Sequence, residues 1–219
     1  MSKVCMVIGA GPGIGQALAY AFAHEGCDVA MVARNPGKLA EACALIRKET
    51  GRECRTYAGD AGDEQSLKTA FTRVRRGLGE IEVVIYNAAA FETGRPTSIP
   101  VERLVAEFRA NVAGALVAAR EAAKTMKKNQ RGTILFTGGS FAYEPATDYA
   151  SLSLGKAALR NLTYSLAQEL GKDGIHVATV TVYGYVQPNT KFDPHRIAQA
   201  FVTLHKQAKG HFDIETVYK

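Results

Sequence analysis

The segment DYASLSLGKAALRNL, residues 148–162, sets Lys156 among small residues in a helical pattern. Residues four apart share one helix face, so a proton donor at position 152 would be useful to that ammonium. The sequence has Leu152 there, which cannot donate a proton. Tyr149 lies two turns from Lys156, about 10 Å along a helix axis, and Ser153 is turned roughly 100° from the required face. A second chemical signal is the stretch GAGPGIG, in which Gly9, Gly11, Gly13 and Gly15 follow an apolar run and lead into a helical pattern. Glycines there permit a tight turn and a close backbone approach to a pyrophosphate. The free N–H groups and positive dipole end of the next helix complete an anion site.

These residues need a frame, and the chain supplies one. KVCMVIGA, CDVAMVAR, ECRTYAGD, EVVIYNAA, GTILFTGG, HVATVTVYG and the closing HFDIETVYK read as strands. Helical patterns separate them, including NPGKLAEACALIRKETG, where Asn35 is the expected N-cap and Pro36 the first helical residue. Such βα alternation, with nearly continuous apolar strands, predicts a parallel sheet covered on both faces, a doubly wound α/β fold. No repeat or linker divides residues 1–219, so a single domain is expected.

In dinucleotide-binding sheets the second strand commonly ends in a carboxylate that bonds the adenosine ribose. Here it ends MVARN. Without that acid nothing repels a 2′-phosphate, and Arg34 is able to pair with one. The expected cofactor is therefore NADP(H) in preference to NAD(H).

Composition excludes little but guides the rest. Hydrophobic residues make up 47% and charged residues 22% of 219, an ordinary globular balance. No apolar run approaches the roughly 18 residues of a membrane span, and the apolar start is too short for a signal peptide. The net charge of +6 is spread over amphipathic helix faces, with no nucleic-acid motif beside it. Cys5, Cys27, Cys43 and Cys54 show no metal-ligand spacing. Buried free thiols in a reducing cytoplasm are expected, with no metal.

The glycine spacing, with Ile14 between Gly13 and Gly15, resembles that of the short-chain dehydrogenase/reductase family, and further motifs follow in order along essentially the whole chain. The resemblance implies that Asp60 in GDAGD bonds the adenine and that Asn87 and Ala88 in NAA belong to the segment after the fourth strand. It makes Asn111 the structural or catalytic asparagine, Ser140 the catalytic serine and Lys156 the catalytic lysine, which also holds the nicotinamide ribose. Gly184 retains half of a P-G motif, whose proline is here Tyr183. The family tyrosine, four residues before the lysine, is absent at Leu152.

What the resemblance implies is hydride transfer between NADP(H) and a small carbonyl or alcohol. Ser140 would orient the oxygen, Lys156 tune a donor and Asn111 support a water chain. The donor would be Tyr183, Tyr185, Tyr143 or water. The competing expectation is a non-catalytic NADP(H)-binding sensor or interaction protein. Only 35 residues follow Gly184, fewer than the family's usual substrate lid, so water exclusion is expected to be poorer or to need a partner subunit. The apolar and small residues on several faces of LSLGKAALRNLTYSLAQEL suggest a homodimer or homotetramer.

Overall fold

Strands buried on both faces need apolar side chains at successive positions, and those runs form the sheet. The computed structural model describes residues 3–219. Its strands are β1 (Lys3–Ile8), β2 (Cys27–Ala33), β3 (Cys54–Ala58), β4 (Ile81–Tyr86), β5 (Gly132–Gly139), β6 (Ile175–Val182) and β7 (Glu215–Tyr218). The order is β3-β2-β1-β4-β5-β6-β7, with every neighbouring pair parallel. The expected doubly wound fold is the observed one.

The helices are α1 (Ile14–His24), α2 (Ala40–Thr50), α3 (Glu64–Leu78), α4 (Val101–Phe108), α5 (Gly114–Asn129), α6 (Ala150–Leu170) and α7 (Pro194–His205). Alternate strand residues serve opposite faces. Cys5, Val7, Val29 and Met31 pack with Phe22 of α1, Ile46 of α2 and Phe201 of α7. Val4, Met6, Ile8 and Ala30 pack with Phe71 of α3, Ala119 of α5 and Leu159 of α6. Burying each such side chain is worth about 1.5–3 kcal/mol for the larger aliphatic and aromatic ones, which fixes the strand register and the face each helix presents.

Two local expectations differ from the structure. Asn35 makes no side-chain capping bond: Pro36–Leu39 form a 3₁₀ turn first, and α2 proper starts at Ala40. The long helix carrying Asn111 is interrupted by a π-helical turn, Arg109–Ala113, between α4 and α5. The buried Tyr86 hydroxyl donates to the Ala110 carbonyl within that turn, the kind of side-chain insertion that breaks a helix ladder.

Candidate active site

The strand order reverses between β1 and β4, and at the carboxyl ends of strands at such a switch point a crevice opens. A cleft of about 630 Å³ lies there. Gly9, Gly11, Arg34, Asp60, Asn87 and Ala88 line it, so six of the expected cofactor residues border one cleft. Gly9 has φ +83°, and a Cβ on it would sit 2.5 Å from the Ala88 backbone nitrogen, so only glycine lets the two segments meet. Gly13 is the N-cap of α1 with no side-chain capping bond, and open space surrounds it. Gly15 is buried against the Gly9 carbonyl, and the half-buried Ile14 packs on the core under α1. Asp60 lies at the rim and spends one carboxylate oxygen on the Gly62 N–H at 2.8 Å.

From the glycine turn a bonded line runs to Lys156. The Asn87 amide donates to the Gly9 carbonyl at 2.9 Å, and the Thr137 hydroxyl donates to the other end of the Asn87 side chain at 2.9 Å. The Lys156 ammonium in turn donates to the Thr137 carbonyl at 2.6 Å. Its stem passes Gly139, next to Ser140 at the end of β5. Burial lowers the Lys156 pKa to about 8.

Asn111 is 5% exposed, and both ends of its side chain bond Ala90, accepting from its N–H and donating to its carbonyl, each at 2.8 Å. The partner is thus the loop after β4. Gly184 is exposed, and Phe192 fills the space a Cβ would need.

The tyrosines are placed away from Lys156 in their bonding. The Tyr183 hydroxyl is directed to the Glu144 carboxylate at 3.4 Å, and Tyr143 donates to Glu215 at 2.8 Å. Burial, then the carboxylates, raises both phenol pKa values. Tyr185 is 85% exposed. Leu152 is buried on α6 and belongs to neither large core cluster.

Sequence reasoning missed Glu107, which lines the cleft at 7% exposure. It accepts from the Glu92 N–H at 3.1 Å and from the Ser151 hydroxyl. An acid one helical turn before Asn111 was the available signal. Also missed was an aromatic series: Tyr149 meets Phe91 at 6.1 Å and stacks on Phe141 at 5.7 Å between ring centroids. These rings come from two loops, after β4 and between β5 and α6, so no local pattern announces them.

The family model for short chain dehydrogenases matches residues 3–195. The chain belongs to the short-chain dehydrogenase family. Among curated relatives, this short-chain dehydrogenase is similar to the 2,3-dihydro-2,3-dihydroxybenzoate dehydrogenase of Bacillus subtilis, 30% identical over 82% of this chain and 68% of that protein. It is also similar to the 3-oxoacyl-[acyl-carrier-protein] reductase of Bos taurus, 28% identical over 82% and 74%. Among solved structures, a metagenomic short-chain oxidoreductase in complex with NADP superposes with a TM-score of 0.89 at 27% identity, covering 98% of this chain and 96% of that one. A short-chain dehydrogenase from Rhodopseudomonas palustris gives 0.89 at 27%, covering 99% and 98%. The relatives are oxidoreductases, and this chain has the frame of one.

Proposed function

We propose that this short-chain dehydrogenase transfers hydride between NADP(H) and a small carbonyl or alcohol. The observation that carries the reading is the continuous hydrogen-bonded line from the Gly9 turn through Asn87 and Thr137 to Lys156. It ties the glycine turn to a lysine whose stem lies over Gly139, the residue before Ser140. The residues present fit a dinucleotide: Gly9 and Gly11 leave a bare backbone wall, and α1 offers an uncapped N-terminus. When bound, the nicotinamide supplies or accepts a hydride at the substrate carbon. Arg34, exposed at the cleft rim, supplies a planar guanidinium for a 2′-phosphate. Asp60 reads the adenine edge, and Lys156 donates to the ribose hydroxyls while keeping its bond to Thr137. Ser140 bonds the substrate oxygen and orients it. The Phe91–Tyr149–Phe141 rings flank the substrate side and exclude water from it.

The oligomeric reading rests on an apolar stripe. Val101, Val105, Phe108 and Leu116 are 39–68% exposed along α4 and α5, and Leu154 on α6 is 54% exposed. We assign this face to a second copy of the chain, giving a homodimer or homotetramer. Four buried free cysteines suit a reducing compartment.

The test is direct. NADPH and NADH are titrated by nicotinamide fluorescence, and a panel of carbonyls and alcohols is followed by nicotinamide absorbance. Tight NADPH binding with turnover is expected. Binding without turnover across the panel returns the protein to the sensor reading.

A further inference from the structure

A carboxylate at the start of an edge strand normally faces water. Glu215, the first residue of β7 at the sheet edge, does not: its side chain is 6% exposed. A buried carboxylate is tolerated only where donors surround it, and this one has donors from three parts of the fold. Its Oε2 accepts from the Tyr143 hydroxyl after β5 at 2.8 Å. The same oxygen accepts from Arg160 Nε and from the Tyr164 hydroxyl of α6, each at 2.9 Å. Its Oε1 accepts from the Thr181 hydroxyl of β6 at 2.6 Å. The Arg160 guanidinium also lies over the Tyr143 ring at 4.6 Å and the Tyr164 ring at 4.7 Å, so cation and carboxylate together hold both phenols.

These ties end beside residues of the site. Tyr143 closes the 3₁₀ turn that Ser140 begins, and the Tyr143 and Glu144 N–H groups both donate to the Ser140 carbonyl at 2.9 Å. Arg160 stands one helical turn after Lys156 on the same face of α6. Thr181 packs on Gly138, two residues before Ser140, where a Cβ would come 2.7 Å from its hydroxyl oxygen. Glu144, next to Tyr143, faces the Tyr183 hydroxyl at 3.4 Å, which brings the loop after β6 into the same cluster.

We propose that Glu215 is a positioning residue for the reaction: by holding the Tyr143 hydroxyl and Arg160 at once, it fixes the Ser140 turn against the helix that carries Lys156. This rests on the oxidoreductase reading above. In this role the carboxylate touches neither cofactor nor substrate. Catalysis needs a finer placement than folding does, and a displacement of about 1 Å far from the chemistry can cost about 10²-fold in rate. Without the negative charge, Arg160 loses its carboxylate partner and the Tyr143 phenol loses its acceptor. The turn then loosens while the parallel strands beneath it stay paired.

Carbonyl reduction by the whole protein is compared in the wild type, Glu215→Gln, Tyr143→Phe and the double variant. Turnover is counted per NADPH-binding site, titrated by nicotinamide fluorescence, with the thermal midpoint read on each. A role in stability alone lowers the number of sites, whereas a role in positioning lowers kcat per site. Glu215→Gln is expected to lose about 10²-fold in kcat per site with NADPH affinity unchanged. Tyr143→Phe removes one hydroxyl from an exposed ring and should lower kcat per site in the same direction. Residues acting through one contact are not additive, so the double variant should lose no more than Glu215→Gln alone. Should Glu215→Gln fail to fold, Tyr143→Phe decides. Wild-type turnover per site in either folded variant, or losses that multiply in the double variant, would overturn the positioning role and leave the oxidoreductase reading standing. A wild-type protein that binds NADPH but turns over no carbonyl would overturn both.

Discussion

Gly155 of α6 lies against Asn111 so closely that a Cβ on it would come within 3.0 Å of the Asn111 Cβ. Asn111 is already clamped to both backbone groups of Ala90. The contact therefore sets the distance between the lysine helix and the loop that walls the cleft. Gly155→Ala is expected to overpack this contact at a cost of about 1–3 kcal/mol. Chemical denaturation measures that loss, and an unchanged midpoint would show that α6 can yield there.

Cofactor preference is the second prediction. NADPH is expected to bind at least about tenfold tighter than NADH, a difference of roughly 1.4 kcal/mol. Arg34→Ala should close most of that gap by weakening NADPH and leaving NADH nearly unchanged. Equal affinities in the unmutated protein would remove Arg34 from the assignment.

Restoring a phenol is the third. Leu152→Tyr places a hydroxyl one helical turn before Lys156, and a placed acid is typically worth 10²–10⁴-fold. About a hundredfold gain in reduction of a reactive carbonyl is expected. Leu152 is 8% exposed, so the larger ring also tests the space around it. NADPH affinity and thermal midpoint belong in the same experiment. A folded variant that binds NADPH and gains nothing would show that position 152 does not face the reacting oxygen.

Acid stability is the fourth. Burial alone would raise the Glu215 pKa, but donors from Arg160, Thr181, Tyr143 and Tyr164 outweigh it and hold the carboxyl below its ordinary value. A depressed folded pKa gives stability that is present above the unfolded value, near about 4.3, and lost as pH falls below it. The wild-type melting midpoint should drop more steeply than that of Glu215→Gln below about pH 4.5. Parallel curves would mean the carboxylate contributes no linkage.

Much of this fold was legible because the signals are local. Val4–Ile8 and Val29–Val32 are apolar at every position, which only a doubly covered strand requires, and the glycines of the first turn follow directly. Other features depend on segments far apart in sequence. Glu107 meets Ser151 across 44 positions, and Asn87 meets Thr137 across 50. The π turn at Asn111 arises from a tyrosine on β4 reaching a helix carbonyl, a contact no helical periodicity carries. Gly184 leaves its side-chain space to Phe192, eight residues further along. The Asn35 cap failed because Pro36 and Gly37 start a tighter turn.

The Asn87 side chain acts as the fixed joint of a ruler. One end grips the glycine turn and the other, through Thr137, the lysine, so the two ends of the crevice cannot be moved independently. On the proposed reading, a ligand with phosphates alone would meet one mark on that scale and a ligand that also carries a distal ribose would meet both, so the span of a whole dinucleotide would be favoured over either of its halves.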